Sequence, residues 1–79
     1  MKFVYIIQSI SNSDRYYTGL TDDPDRRLDE HNKGESIHTN KYRPWKFVNV
    51  ISFENDQKAF NFERYLKSGS GRAFTKKHF

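Results

Sequence analysis

The segment "KFVYIIQS", residues 2–9, is β-branched and aromatic, and it is apolar on both parities. Alternate side chains of a strand point to opposite faces, so a run that is apolar on both reads as a strand covered on both. The turn residues "NSD" follow, and "RYYTG" (15–19) reads as a second strand. Residues 2–19 are therefore expected to form an antiparallel hairpin with a loop of about four or five residues.

The signals change at "DDPDRRLDEHNKG". Asp22 or Asp23 can cap a helix, Pro24 fits its first turn, and Gly34 can take the left-handed position after its end, which predicts a helix over 24–33. "ESIHTNKYRPWK" is irregular and polar, with Pro44 opposing helix around Arg43, and "KFVNVISF" (46–53) returns to a β pattern. "NDQKAFNFERYLKSG" (55–69) offers a cap at Asn55 or Asp56, apolar residues at helical spacing and Gly69 as a stop. The order is β-β-α, a loop or short helix, then β-α. The expected fold class is mixed α/β of the α+β type, a three-stranded antiparallel sheet flanked by helices, in a single domain spanning 1–79.

Hydrophobic residues are only 34% of the chain and mean hydropathy is −1.01, values that would suit disorder were it not for the 16% of aromatic residues spread along it. A globular fold with an aromatic-rich core is expected. The absence of cysteine excludes a disulfide framework and a thiolate metal site, and no segment approaches 18 consecutive apolar residues. The expected location is cytoplasmic. Net charge is +4, unevenly distributed: residues 1–40 hold 5 Lys/Arg and 7 Asp/Glu, whereas residues 41–79 hold 9 and 3. The end of the basic half, "KSGSGRAFTKKHF", carries Lys67, Arg72, Lys76 and Lys77 and no acid. That composition suits contacts with nucleic-acid phosphates, and equally a solvated tail.

Both helices turn unexpected residues inward. At ~100° per residue, with Arg27 at zero, His31 falls at about 40° and Leu28 at about 100°, while Arg26 and the acids face the other way. The sector holding the helix's only leucine thus also holds Arg27 and His31. Singly, each is explained by a snorkelling arginine and a satisfied histidine. Paired one turn apart, both can donate to phosphate oxygens, and His31 can relay protons near neutral pH. In the second helix, with Ala59 at zero, Leu66 falls at about −20°, Phe62 at about −60° and Glu63 at about 40°. An inward carboxylate needs a cation. The candidates are Lys67 one turn on, Arg27 across the core, or a divalent metal, and Mg²⁺ and Mn²⁺ suit a site with a single carboxylate.

With these residues in view, the chain resembles the GIY-YIG nuclease superfamily, in particular its small stand-alone members and the domain of this type in the excinuclease C subunit. "FVY" (3–5) stands where the first signature is expected and "YTG" (17–19) where the second is, and the similarity continues through "LTDDPDRRLDEHNKG", "HTNKYRPWKFV", "AFNFERYLK" and "SGSGRAF". The resemblance implies an endonuclease with one divalent cation, Mg²⁺ or Mn²⁺, on Glu63. It also implies Tyr17 as general base for the attacking water, Tyr5 beside it, and Arg27 and His31 on the same catalytic face. A phenol with the usual pKa near 10 is about one part in a thousand ionised at pH 7, a handicap of roughly 4 kcal/mol that a cation and Arg27 must largely offset.

The chain departs from the family pattern at four places. Phe3 stands for the signature glycine and Thr18 for the isoleucine, neither of which carries chemistry. Leu20 follows the second signature where some relatives have lysine, and residues 64–79 lack the asparagine found beyond the metal glutamate in many active members. Either Arg72, Lys76 or Lys77 substitutes for that asparagine, or activity is weak, or a partner protein that also supplies specificity completes the site. The leading expectation is a metal-dependent endonuclease acting on DNA, branched or damaged, in repair or recombination. The alternative is a non-catalytic, basic nucleic-acid-binding module. A metal protein built on His31, His38 and His78 lacks any recognised ligand spacing.

Overall fold

A computed structural model describes residues 1–79. Its sheet has the order β2-β1-β3 and is antiparallel throughout, formed by β1 (Lys2–Ser9), β2 (Tyr16–Thr21) and β3 (Trp45–Phe53). The doubly apolar strand is the central one, as its pattern requires. Val4 and Ile6 point to one face, where they join Ala59 and Leu66. Tyr5 and Ile7 point to the other and join Trp45, Tyr17 and Leu28. Helix α1 (Pro24–Asn32) therefore covers one face, and α2 (Asp56–Lys67) with α3 (Gly69–His78) covers the opposite one. A register shift between Ile6 and Ile7 leaves Val48 of β3 without a direct partner.

The helix signals are used as read. The Asp23 carboxylate accepts from the Arg26 N–H, Pro24 opens α1, and Gly34 has φ +80° just beyond its end. Asn55 caps α2 by accepting from the Lys58 N–H. A single 3-10 turn, Asn40–Tyr42, interrupts the polar loop.

Two expectations are corrected. The second strand begins at Tyr16, which makes residues 10–15 the hairpin loop and longer than expected, and it runs past Gly19 to Thr21, so the second signature lies within the strand rather than at its end. The basic C-terminal stretch is a third helix, and Gly69 does not stop α2. Ser68 does, with an extended backbone, and its hydroxyl at once caps α3 by accepting from the Gly71 N–H. Gly71 is buried where α3 crosses α2, and a Cβ there would overlap the Tyr65 carbonyl and the Leu66 Cα. The "SGSG" run is thus a cap followed by a close helix crossing. No helix is long and apolar enough to cross a membrane.

Candidate active site

Tyr5 and Tyr17 point to the α1 face of the sheet from adjacent strands. Tyr5 lies opposite Gly19 in the ladder, and its hydroxyl and ring edge fill the space a Cβ at Gly19 would need. The glycine of "YTG" is thus the seat of the tyrosine of "FVY". The Tyr5 hydroxyl is 2.8 Å from His31 Nε2, and His31 Nδ1 is 2.6 Å from the Thr39 hydroxyl. His31 is completely buried, as is Thr39. A neutral imidazole donates from one nitrogen and accepts at the other, so the chain Thr39–His31–Tyr5 is satisfied in either tautomer.

Burial sets the protonation of this trio. It pushes the Tyr5 phenol up to about 12, with the neighbouring Arg27 guanidinium only partly offsetting it. It draws His31 down to about 4, assisted by the positive charge of Arg27 and opposed by Glu30. Both groups are therefore neutral at physiological pH. Arg27 sits beside Tyr5 and is held by Glu30, Nη1 to Oε1 at 2.8 Å, rather than by Glu63 across the core. Arg26 faces solvent and pairs with Asp22.

The other half of the predicted set approaches from the opposite face. Glu63 pairs with Lys67, Oε2 to Nζ at 2.8 Å. This is the ordinary i,i+4 partner, but the pair is not a solvated one: the Glu63 side chain is 13% exposed against 45% for Lys67. The Lys67 ammonium continues over the ring of Tyr17, 5.4 Å from its centroid. The Tyr17 ring in turn lies edge-on to His31 at 5.2 Å, and Tyr5 lies 6.4 Å away. Tyr17, on the edge strand, is thus the one residue in contact with both halves. The structure brings Tyr5, Tyr17, Arg27 and His31 together and links Glu63 to them through Lys67, while Glu63 and Arg27 make no direct pair.

An open groove of about 930 Å³ runs from Tyr17 along the outer side of β2 to α3. Lys67, Arg72 and Lys76 line it, as the basic pattern suggested, but Lys77 does not. Arg15 and Tyr16 line it from the strand side and were not singled out from the sequence, although together they directly precede the second signature. Thr39 was likewise missed, since one threonine in an irregular loop carries no periodic signal. The three histidines do not gather: His38 stacks near Tyr17 and His78 against Phe74, and no three His, Asp or Glu side chains cluster anywhere.

Comparison with known proteins accords with this fold. The family model described as the GIY-YIG catalytic domain matches residues 1–77. The chain belongs to the GIY-YIG family. Its membership identifies it as a domain of the nuclease class, with the α+β fold seen here. Among curated proteins it is similar to the structure-specific endonuclease subunit SLX1 of Podospora anserina, 39% identical over 66 residues that cover 76% of this chain and 19% of that protein. The SLX1 subunit of Candida glabrata is 35% identical over 80 residues, covering 81% and 26%. This GIY-YIG chain therefore spans about a quarter or less of the length of these relatives. The solution NMR structure of a UPF0213 protein from Bacillus halodurans superposes with a TM-score of 0.57 at 27% identity, covering 98% of this chain and 84% of the other.

Proposed function

We propose that the chain is a metal-dependent endonuclease domain that hydrolyses phosphodiester bonds in DNA during repair or recombination. The observation that carries this reading is the position of Tyr17, in contact on one side with the His31–Tyr5 pair and on the other with Lys67 on Glu63. Tyr17 is the general base. Tyr5, held neutral by burial, is the poorer candidate, and together with His31 and Thr39 it sets the wall against which Tyr17 packs. Arg27, partly exposed beside them, neutralises charge that gathers on the phosphate as water attacks. His31, neutral and fully engaged, orients Tyr5.

Glu63 suits Mg²⁺ or Mn²⁺. It offers a single hard carboxylate, largely shielded, whose present counter-charge is the half-exposed Lys67 ammonium on the groove side. Such ions accept one protein carboxylate and complete their shell with water and substrate phosphate. When bound, the metal would polarise a phosphoryl oxygen and assist the leaving oxygen. Lys67 would have to leave Glu63 to admit it, and would then be free to meet the substrate from the groove. The SLX1 relatives are named structure-specific endonuclease subunits, which supports a substrate recognised by its structure and a protein partner in the assembly.

The basic groove also favours the second reading, a non-catalytic nucleic-acid-binding module. One comparison separates the two: wild type, Glu63→Ala and Tyr17→Phe are incubated with supercoiled, branched and single-stranded DNA in Mg²⁺ or Mn²⁺. Cutting by wild type alone supports the enzyme. Equal residual cutting by all three would remove it, leaving salt-sensitive binding as the activity.

A further inference from the structure

We propose that the groove beside β2 is a binding track for a single, unpaired nucleic-acid strand, which it delivers to Tyr17. The inference rests on the nuclease reading for its purpose but not for its evidence. Four cations line the groove, Arg15 on the strand side and Lys67, Arg72 and Lys76 on the helix side, against one acid, Asp14. A phosphate backbone lying between them meets positive charge on both walls. Arg72 and Lys76 are one helical turn apart, so both project from one face of α3 and can hold successive phosphates.

The aromatic residues decide between one strand and two. Tyr16 lines the groove as a residue 43% exposed, and its hydroxyl accepts a hydrogen bond from Gln8 Nε2 at 3.1 Å that tethers the ring. An exposed, tethered aromatic ring beside a row of cations is what stacking on an unpaired base requires. In a duplex the bases already stack on one another and Tyr16 would have no partner. The scale agrees, because a groove of about 930 Å³ on a molecule whose shortest extent is 18 Å takes a few nucleotides and cannot enclose a double helix. Tyr16 and Tyr17 are consecutive on β2 and face opposite sides of the strand. A base stacked on Tyr16 therefore leaves the neighbouring backbone at the sheet edge, where Tyr17 and Lys67 meet. The substrate class that follows is a nucleic acid with a single-stranded arm.

The test is fluorescence anisotropy in EDTA with a labelled twelve-nucleotide oligothymidylate and with a duplex of the same length. The single strand should bind more tightly to wild type. Arg15→Ala, Arg72→Ala and Lys76→Ala should each weaken single-strand binding about three- to tenfold and flatten the salt dependence by about 0.7 in log–log slope. Lys77→Ala removes the same charge outside the groove and should change affinity by less than about twofold. Tyr16→Ala should weaken binding at least about fivefold, with Tyr16→Phe retaining it. Duplex bound as tightly as single strand, or an Lys77→Ala loss equal to those of the groove residues, would overturn the proposal. Because no metal is present, an inactive nuclease leaves this result standing, and a lost strand preference leaves the cleavage reading standing.

Discussion

Replacing His31 with glutamine isolates the cost of burying an imidazole beneath the candidate site. The folded protein lowers the His31 pKa from 6.5 to about 4, chiefly through desolvation and secondarily through Arg27. A depressed folded-state pKa means that the native state prefers the neutral ring. Its contribution is complete above pH 6.5, declines as the unfolded chain's histidine takes up a proton below that, and is gone once the pH falls through about 4. The difference between 6.5 and about 4, at 1.36 kcal/mol per pH unit, is about 3 kcal/mol in full and about 2.5 kcal/mol by pH 4.5. For a chain of 79 residues that is a large part of the total stability. Urea unfolding followed by fluorescence of Trp45, the one tryptophan and a buried one, measures it at pH 7.5 and 4.5. His31→Gln should be less stable at pH 7.5, having lost its hydrogen bonds to Tyr5 and Thr39, yet lose about 2.5 kcal/mol less than wild type on acidification. The carboxylates that titrate over the same range are common to both proteins and cancel in the comparison. Equal losses on acidification would refute a buried, neutral His31.

Three further outcomes are expected. Gly71→Ala should destabilise the chain by about 2 kcal/mol or more, or release α3, because its Cβ meets backbone atoms of α2. Gly69→Ala, with nothing within 4 Å of its Cβ, should stabilise it by up to about 1 kcal/mol, so similar urea midpoints for the two variants would contradict the tight crossing. Lys67→Met removes the cation now paired with Glu63 and should tighten Mn²⁺ binding on the order of tenfold by electron paramagnetic resonance, a charged hydrogen bond contributing about 1.5 kcal/mol or more. Unchanged Mn²⁺ affinity would dissociate Glu63 from the metal.

The parts of the fold visible in the sequence were those with a repeating or capping signal. The double parity of residues 2–9 marked a strand covered on both faces, and Asp23, Asn55 and Gly34 marked helix ends where the structure has them. The third helix was hidden because its evidence is not periodic: the cap is a serine that also ends α2, and the glycine inside it is required by a helix two residues upstream. The inward placement of His31 and Glu63 was legible from helical geometry, but their partners were not. Glu30 looked solvent-facing on the wheel, yet its side chain and that of Arg27 are long enough to meet from adjacent sectors. Thr39 is fixed by the path of a polar loop, which nothing in its local sequence determines.

The division of the site between two faces gives β2 a role that a central strand could not fill. Arg27 and His31 come from a helix on one side of the sheet, and Glu63 and Lys67 from a helix on the other. Side chains of a central strand are confined to one face or the other by neighbouring strands, as Tyr5 is, beneath His31 and against Gly19. Only an edge residue can be reached around the end of the sheet, and Lys67 reaches Tyr17 in this way. The same exposed edge carries the groove that leads to Tyr17. The geometry that joins the two halves of the candidate site is therefore also the geometry that leaves Tyr17 open to the groove. Covering β2 with another strand would close both at once.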